Sequence, residues 1–220
     1  MSPVQGLPED NTGYGTQEYW EKRYASEGQD SSFDWFLQPE YLLPLLEPYL
    51  LECGKGKDVR VLMLGCGNSL LGEVMYDAGY HNVVNVDYSA ILIAQMRARH
   101  AELRPDMQWL EMDIRDLKFN EGDFDVVLDK GTMDAMLTSK GDVWNPPEED
   151  VQNCRKEVEE AVRVLAKQKG SRFLYATFGQ PHFRRRYMLG HAGFALTHRD
   201  IGPPEGFSYF LYDLQYAAAL

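Results

Sequence analysis

The run Val61-Leu62-Met63-Leu64-Gly65-Cys66-Gly67-Asn68-Ser69 constrains this chain more than any other stretch. Its apolar start reads as a buried strand. The glycine pair reads as a tight turn, and Leu70 to Ala78 as the helix that follows, stopped at Gly79. A second apolar run, Asn82 to Val86, delivers one carboxylate, Asp87. It stands about 20 residues beyond the turn, as the ribose-binding acid does in a doubly wound sheet. Strand, glycine turn, helix, strand and acid together predict a site for an adenosine-containing ligand. In such a site glycines let backbone approach the ligand, and the acid accepts from the ribose diol.

The glycine spacing argues against a dinucleotide. The pyrophosphate fingerprint wants a third glycine at the sixth position. Leu70 stands there, and the next glycine is Gly72. A leucine would crowd the helix start where a pyrophosphate sits. G-x-G followed by Asn and Ser fits S-adenosylmethionine (SAM) better, because that cofactor carries no phosphates. A nicotinamide cofactor is the alternative.

The rest of the chain alternates helices and strands. Helices are predicted at Thr16 to Ser26, Pro39 to Cys53, and from Ser89, an N-cap, to Leu103. Strands are predicted at Val59 to Leu64, Asn82 to Asp87, Met107 to Met112, Phe124 to Asp129 and Ser171 to Phe178. Thr132 to Leu137 reads as a short helix, Thr138 to Glu149 as a loop that could serve as a lid, and Asp150 to Ala166 and Pro181 to His191 as helices. Phe194 to Arg199 and Phe207 to Tyr216 flank a turn-rich Gly202-Pro203-Pro204-Glu205-Gly206 and should pair antiparallel. The expected fold is α/β, a Rossmann-like doubly wound seven-stranded sheet, mostly parallel with one antiparallel strand. Residues 1–15 read as a flexible tail and 16–220 as one domain.

Open sheets bind ligands beyond the carboxyl ends of their strands. Asp113, ending Glu111-Met112-Asp113-Ile114, therefore shares a rim with Gly65 and Asp87. It could accept from an adenine amine between Met112 and Ile114, or merely cap the next loop. Lys130, just past the fourth strand, could pair with a ligand carboxylate or be a solvated lysine before a turn.

The net charge of −12 suits a basic partner and disfavours nucleic acid. No stretch approaches the ~18 apolar residues of a membrane span. Arg184-Arg185-Arg186 is the only basic run and reads as a solvated face. Three scattered cysteines fit neither a disulfide frame nor a zinc site and suit a reduced, cytoplasmic setting. The five histidines show no ligand spacing, so no metal is expected.

Several segments carry a family resemblance. These are Tyr19-Trp20-Glu21-Lys22-Arg23-Tyr24, Phe33-Asp34-Trp35-Phe36, Leu64-Gly65-Cys66-Gly67-Asn68-Ser69, Asp87-Tyr88-Ser89, Met112-Asp113, Asp129-Lys130-Gly131-Thr132 and Pro181-His182-Phe183-Arg184. In them the chain resembles the seven-strand class I SAM-dependent methyltransferases, and more narrowly the group that methylates lysine in eukaryotic elongation factor 1A (eEF1A). The resemblance implies that Trp20, Tyr24 and Trp35 fold over the cofactor. It implies that Gly65 meets its amino-acid part, Asp87 the ribose, Tyr88 and Met112 the adenine faces, Asp113 the adenine amine, and Lys130 the carboxylate, with Gly67 also among the cofactor-binding residues. The strand-four end lacks the Asn/Asp-Pro-Pro-Tyr/Phe motif of enzymes that methylate nucleobases or glutamine. The expected enzyme is a monomeric protein-lysine methyltransferase, with S-adenosylhomocysteine (SAH) as product and neither nucleic acid nor membrane as partner. A small-molecule methyltransferase and a non-catalytic SAM-binding adaptor are the alternatives. Trp144, Phe183 and Tyr209 are candidate walls for the acceptor lysine, and the residues suggest no general base.

Overall fold

The computed structural model describes Pro8 and residues 10–203 and 205–217. Its centre is a seven-stranded sheet, comprising β1 (Val61–Leu64), β2 (Val83–Asp87), β3 (Gln108–Glu111), β4 (Val126–Lys130), β5 (Arg172–Thr177), β6 (Phe194–Asp200) and β7 (Phe210–Tyr216). The spatial order is β3-β2-β1-β4-β5-β7-β6. β1 to β5 pair in parallel, and β7 runs antiparallel to both β5 and β6. The expected mostly parallel sheet with one antiparallel strand is the one observed.

The central strands β1, β2 and β5 are buried along their whole length. That explains why they read as continuous apolar runs and not as alternating ones. Helices cover both faces. One layer is α1 (Gln17–Glu27), α2 (Pro39–Leu51), α3 (Leu71–Asp77) and α4 (Ala90–His100), packed over Met63, Val83 and Leu128. The other is built on α5 (Thr132–Met136), α6 (Glu148–Val164) and α7 (Pro181–Met188), over Leu62, Val127 and Phe173.

Element ends differ from expectation by a few residues, for local reasons. Ser89 caps α4 as expected, accepting from Leu92 N at 3.2 Å. α7 stops at Met188, before the expected His191, because Leu189 turns extended and Gly190 takes φ +91°. The expected tail also ends sooner. Asn11–Gly15 forms a 3-10 helix capped by Asp10, whose Oδ1 accepts from Thr12 N at 3.0 Å. Residues 1–7 and 9 of that tail lie outside the described residues. No helix among the described residues is long and apolar enough to cross a membrane.

Candidate functional site

A cavity of about 430 Å³ opens at the carboxyl ends of β1, β2 and β4, in the size range of small-molecule sites. All ten residues expected to bind the cofactor line it. Gly65, Gly67 and Asp87 stand on the β1–β2 side; Tyr88, Met112 and Asp113 on the β2–β3 side; Lys130 at the end of β4; and Trp20, Tyr24 and Trp35 above.

The glycine turn is specified by the protein itself. Gly65 and Gly67 both sit in the left-handed region, at φ +54° and +53°. A Cβ on Gly65 would lie 2.3 Å from Thr132 Oγ1, which donates to Leu64 O at 3.0 Å. A Cβ on Gly67 would come within 3.1 Å of the Tyr24 hydroxyl. The left-handed backbone at both positions, and at Gly65 the close packing against Thr132, therefore already favour glycine, a different reason from the ligand approach that the motif suggested.

Asp87 is buried at the end of β2. Its two oxygens accept from Gly67 N and Ser89 N, each at 3.0 Å. Burial outweighs those bonds and pushes its carboxyl up to about 6. Lone pairs remain on both oxygens for a diol. Asp113 is more exposed. Burial raises it, but the Arg115 guanidinium (Nε to Oδ1 2.9 Å, Nη2 to Oδ2 2.7 Å) and Arg115 N (2.8 Å) hold it below the usual carboxylate range. The loop-capping alternative for Asp113 is thus real, and Arg115 is a cavity residue that sequence reasoning missed.

The cover is stitched down by polar contacts. Trp20 stacks on Tyr24 with ring centroids 5.7 Å apart, and Trp20 Nε1 donates to Tyr14 O at 2.7 Å. Tyr14 packs edge-on against Trp35 at 5.3 Å. Arg23 lies buried over the Trp20 and Phe33 rings and pairs with Glu27 at 2.7 Å. Glu27 in turn accepts from Asn68 Nδ2 at 3.0 Å, tying α1 to the glycine turn. Gln17 and Glu21 bond the backbone of Tyr88 and Ala90.

Asp34 is the second residue that the sequence reading missed. Its Oδ1 meets Lys130 Nζ at 3.2 Å and accepts a very short bond from Ser69 Oγ. Its Oδ2 accepts from Leu70 N at 3.1 Å, capping the approach to α3. Lys130 also donates to Trp35 O at 3.3 Å. Burial lowers the Lys130 pKa, and Asp34 opposes that shift. Lys130 is therefore no solvated lysine; two of its three donors are engaged and one is left for a ligand. Asp34 stood inside a motif, but its partners are far away in sequence.

The suggested acceptor walls lie outside the cavity lining. Trp144 and Phe183 pack on each other at 4.8 Å, and Tyr209 packs on Phe36 at 5.8 Å. The basic run also divides. Arg184 is only partly exposed, bonded to Asp134 Oδ1 at 2.8 Å and Tyr175 Oη at 3.1 Å, so the expectation of one solvated face fails for it. Below the β4 turn, Asp129 and Glu157 form a fully buried carboxyl pair. Asp129 accepts from Thr132 N (2.7 Å) and Met133 N (2.9 Å), which shapes the Lys130–Thr132 turn. Burial and the neighbouring Asp129 hold the Glu157 carboxyl well above the usual range, and neither of its oxygens finds a hydrogen-bond partner among the described residues.

Comparison with known proteins agrees with this geometry. A methyltransferase-domain family model matches residues 61–168. The eEF1A lysine methyltransferase 4 of Bos taurus is 40% identical over 213 residues, covering 96% of this chain and 80% of that protein. The human eEF1A lysine and N-terminal methyltransferase is 37% identical over 185 residues, covering 84% of this chain and 24% of that protein. Magnesium protoporphyrin IX methyltransferase from Synechocystis, solved with SAM bound, shares the fold at TM-score 0.56 and 15% identity, covering 95% of this chain and 99% of that one. The chain therefore belongs to the eEF1A lysine methyltransferase family, SAM-dependent methyltransferases of the class I Rossmann-like fold.

Proposed function

We propose that this enzyme transfers the SAM methyl group to a lysine side chain of eEF1A. The extent of the family match carries the reading. The general methyltransferase model stops at residues 61–168, whereas the bovine relative matches 96% of the chain. That match takes in regions outside the cofactor motifs, where an acceptor must be recognised.

In this reading Asp87 accepts the ribose diol, and Tyr88 and Met112 flank the adenine. Asp113 accepts the adenine amine with the lone pairs that Arg115 leaves. Gly65 and Gly67 line the amino-acid part, and the third donor of Lys130 takes its carboxylate. Trp20, Tyr24 and Trp35 enclose the sulfonium, with cation–π attraction between the positive sulfur and their rings. The cofactor supplies a methyl group on a good leaving group. The protein's work is then to align the acceptor nitrogen and exclude water.

The acceptor must arrive as a neutral amine. At pH 7 a lysine of pKa about 10.4 lies about 3.4 pH units from that state, a deficit of roughly 4.6 kcal/mol. Desolvation against aromatic walls lowers it. Water would take the proton that the acceptor ammonium must lose before its nitrogen lone pair is free to accept the methyl group. The reading also carries a monomeric enzyme acting in the cytoplasm, with neither nucleic acid nor membrane as partner.

The test is incubation with methyl-labelled SAM, first with purified eEF1A and then with a protein-free metabolite extract. Label in the eEF1A band, mapped to lysine by mass spectrometry, is the expected result. Label only in the small-molecule extract would replace this reading with a metabolite methyltransferase. SAH binding without turnover on either acceptor would leave a cofactor-binding adaptor.

A further inference from the structure

Phe178 is the first residue beyond β5, next to the strand whose end, Lys130 and Gly131, lines the cavity. Its side chain is 54% exposed. Single exposed apolar residues are ordinary and need no explanation. This one is unusual in its mount. Thr177 Oγ1 donates to Asp134 Oδ1 at 2.7 Å, and Gly179 N donates to Thr177 Oγ1 at 2.8 Å. Tyr212 Oη donates to Gly179 O at 2.7 Å. All three bonds are buried, so the backbone on both sides of Phe178 is fixed while the ring faces water. The Arg184 guanidinium, itself held by Asp134 and Tyr175, lies 5.9 Å from the ring centroid.

Phe36 links this ring to the cavity. The two rings are 5.4 Å apart, and Tyr209 lies 5.8 Å from Phe36 on another side. Phe36 also rests on Gly131, where a Cβ would stand 2.9 Å from Phe36 Cε2. Among the described residues Phe36 is the one non-glycine at positive φ, +69°. Such a backbone persists only where its surroundings over-determine it, and it concentrates at functional sites. Here the bonds of Asp34 and Trp35 to Lys130 fix the preceding residues.

We propose that Phe178, with Phe36 and Tyr209 beside it, is the portal through which the acceptor lysine reaches the cavity, Phe178 being a specificity-determining contact. The inference rests on the protein-lysine reading above. The occupant is a lysine side chain on a protein surface. Its aliphatic stem packs on the rings, and its ammonium, before and after methylation, is drawn to their faces. The portal is continuous with the cofactor cavity through Gly131 and Trp35, both of which line it.

The test compares wild type with Phe178→Ala and Phe178→Trp. Labelled SAM is supplied with lysate protein as acceptor, the labelled amino acid is identified after hydrolysis, and SAH affinity is measured by calorimetry. Phe178→Ala should leave SAH affinity unchanged and lower kcat/KM for the protein acceptor by about 3- to 30-fold, the range of an aromatic–cation contact. Phe178→Trp should retain most of the rate. Lysine label with equal kcat/KM for wild type and Phe178→Ala overturns the portal alone. Label on any other residue sinks the lysine reading, and the portal with it.

Discussion

Two aromatic regions flank the same cavity and are treated in opposite ways. Over β1 and β2, Trp20 and Tyr24 are 9% and 4% exposed, locked by Arg23, Glu27 and Asn68. Over β4 and β5, Trp144 and Phe178 remain 67% and 54% exposed. The difference is where each finds its partner. The first region closes on groups within the chain and behaves as core. The second leaves rings half in water, Trp144 against His182 and Phe183, and Phe178 against Phe36 on a backbone held at Thr177 and Gly179.

Asp34 gives the sharpest test of that contrast, because it clamps the closed region. Removing one partner of a buried ion pair strands the other, at a cost of about 3–5 kcal/mol. Asp34→Ala should lower stability by that order in urea unfolding and speed protease cleavage between α1 and α2. Trp144→Ala, on the open side, should stay within about 0.5 kcal/mol of wild type. Equal losses from the two substitutions would erase the distinction between the regions.

The closed region was also the legible one. Gly65, Gly67, Asp87 and Asp113 announce themselves because each closes a strand, and strand ends share a rim in any doubly wound sheet. The sheet was legible for the same reason, since buried strands read as apolar runs separated by turn residues. Asp34, Arg115 and Glu157 were not legible. Asp34 and Glu157 take their roles from partners on other elements, Lys130 and Ser69 for Asp34 and Asp129 for Glu157, and periodicity carries no information on such pairings; Arg115 pairs locally with Asp113, a pairing that no motif marked. Phe36 gave no signal either. A phenylalanine at positive φ is a consequence of tertiary packing, and nothing in its neighbours marks a turn. The run Arg184 to Arg186 misled because its charge pattern is that of a solvated face, while Asp134 draws its first member inward.

A smaller effect separates the regions by pH. Asp87 faces Glu21 across the glycine turn and the N–H groups of Gly67 and Ser89, and its carboxyl titrates at about 6. Only the ionised form accepts both hydroxyls of a diol, so ligand binding favours the deprotonated protein. SAH affinity should be flat above pH 7 and fall toward tenfold per pH unit below 6. Asp87→Asn should flatten that profile and weaken binding at pH 7.5 by about 1.5–3 kcal/mol, the worth of hydrogen bonds to a charged group. Phe178→Ala should leave the profile unchanged. A wild-type affinity that stays constant down to pH 5 would remove Asp87 from the ribose site.

Beneath both regions lies the Asp129–Glu157 pair, and it offers the smallest effect. Asp134 and Cys154 face the same pocket, with Arg184 beyond Asp134, so the proton on Glu157 meets carboxylates more than cations. The folded pKa of Glu157 lies above its unfolded value of about 4.3. Below pH 4 both states hold the proton and nothing is lost. As pH rises past that value the unfolded chain releases its proton while the folded chain keeps it, and stability declines. Glu157→Gln puts a neutral side chain beside Asp129, with no proton to lose. It should match wild type near pH 4 and exceed it at pH 8 by on the order of 1 kcal/mol, roughly 2–4 °C in Tm for a chain of this size. A Gln variant less stable than wild type at pH 8 would mean that Glu157 is ionised in the folded protein, and that the Lys130–Thr132 turn rests on Asp129 alone.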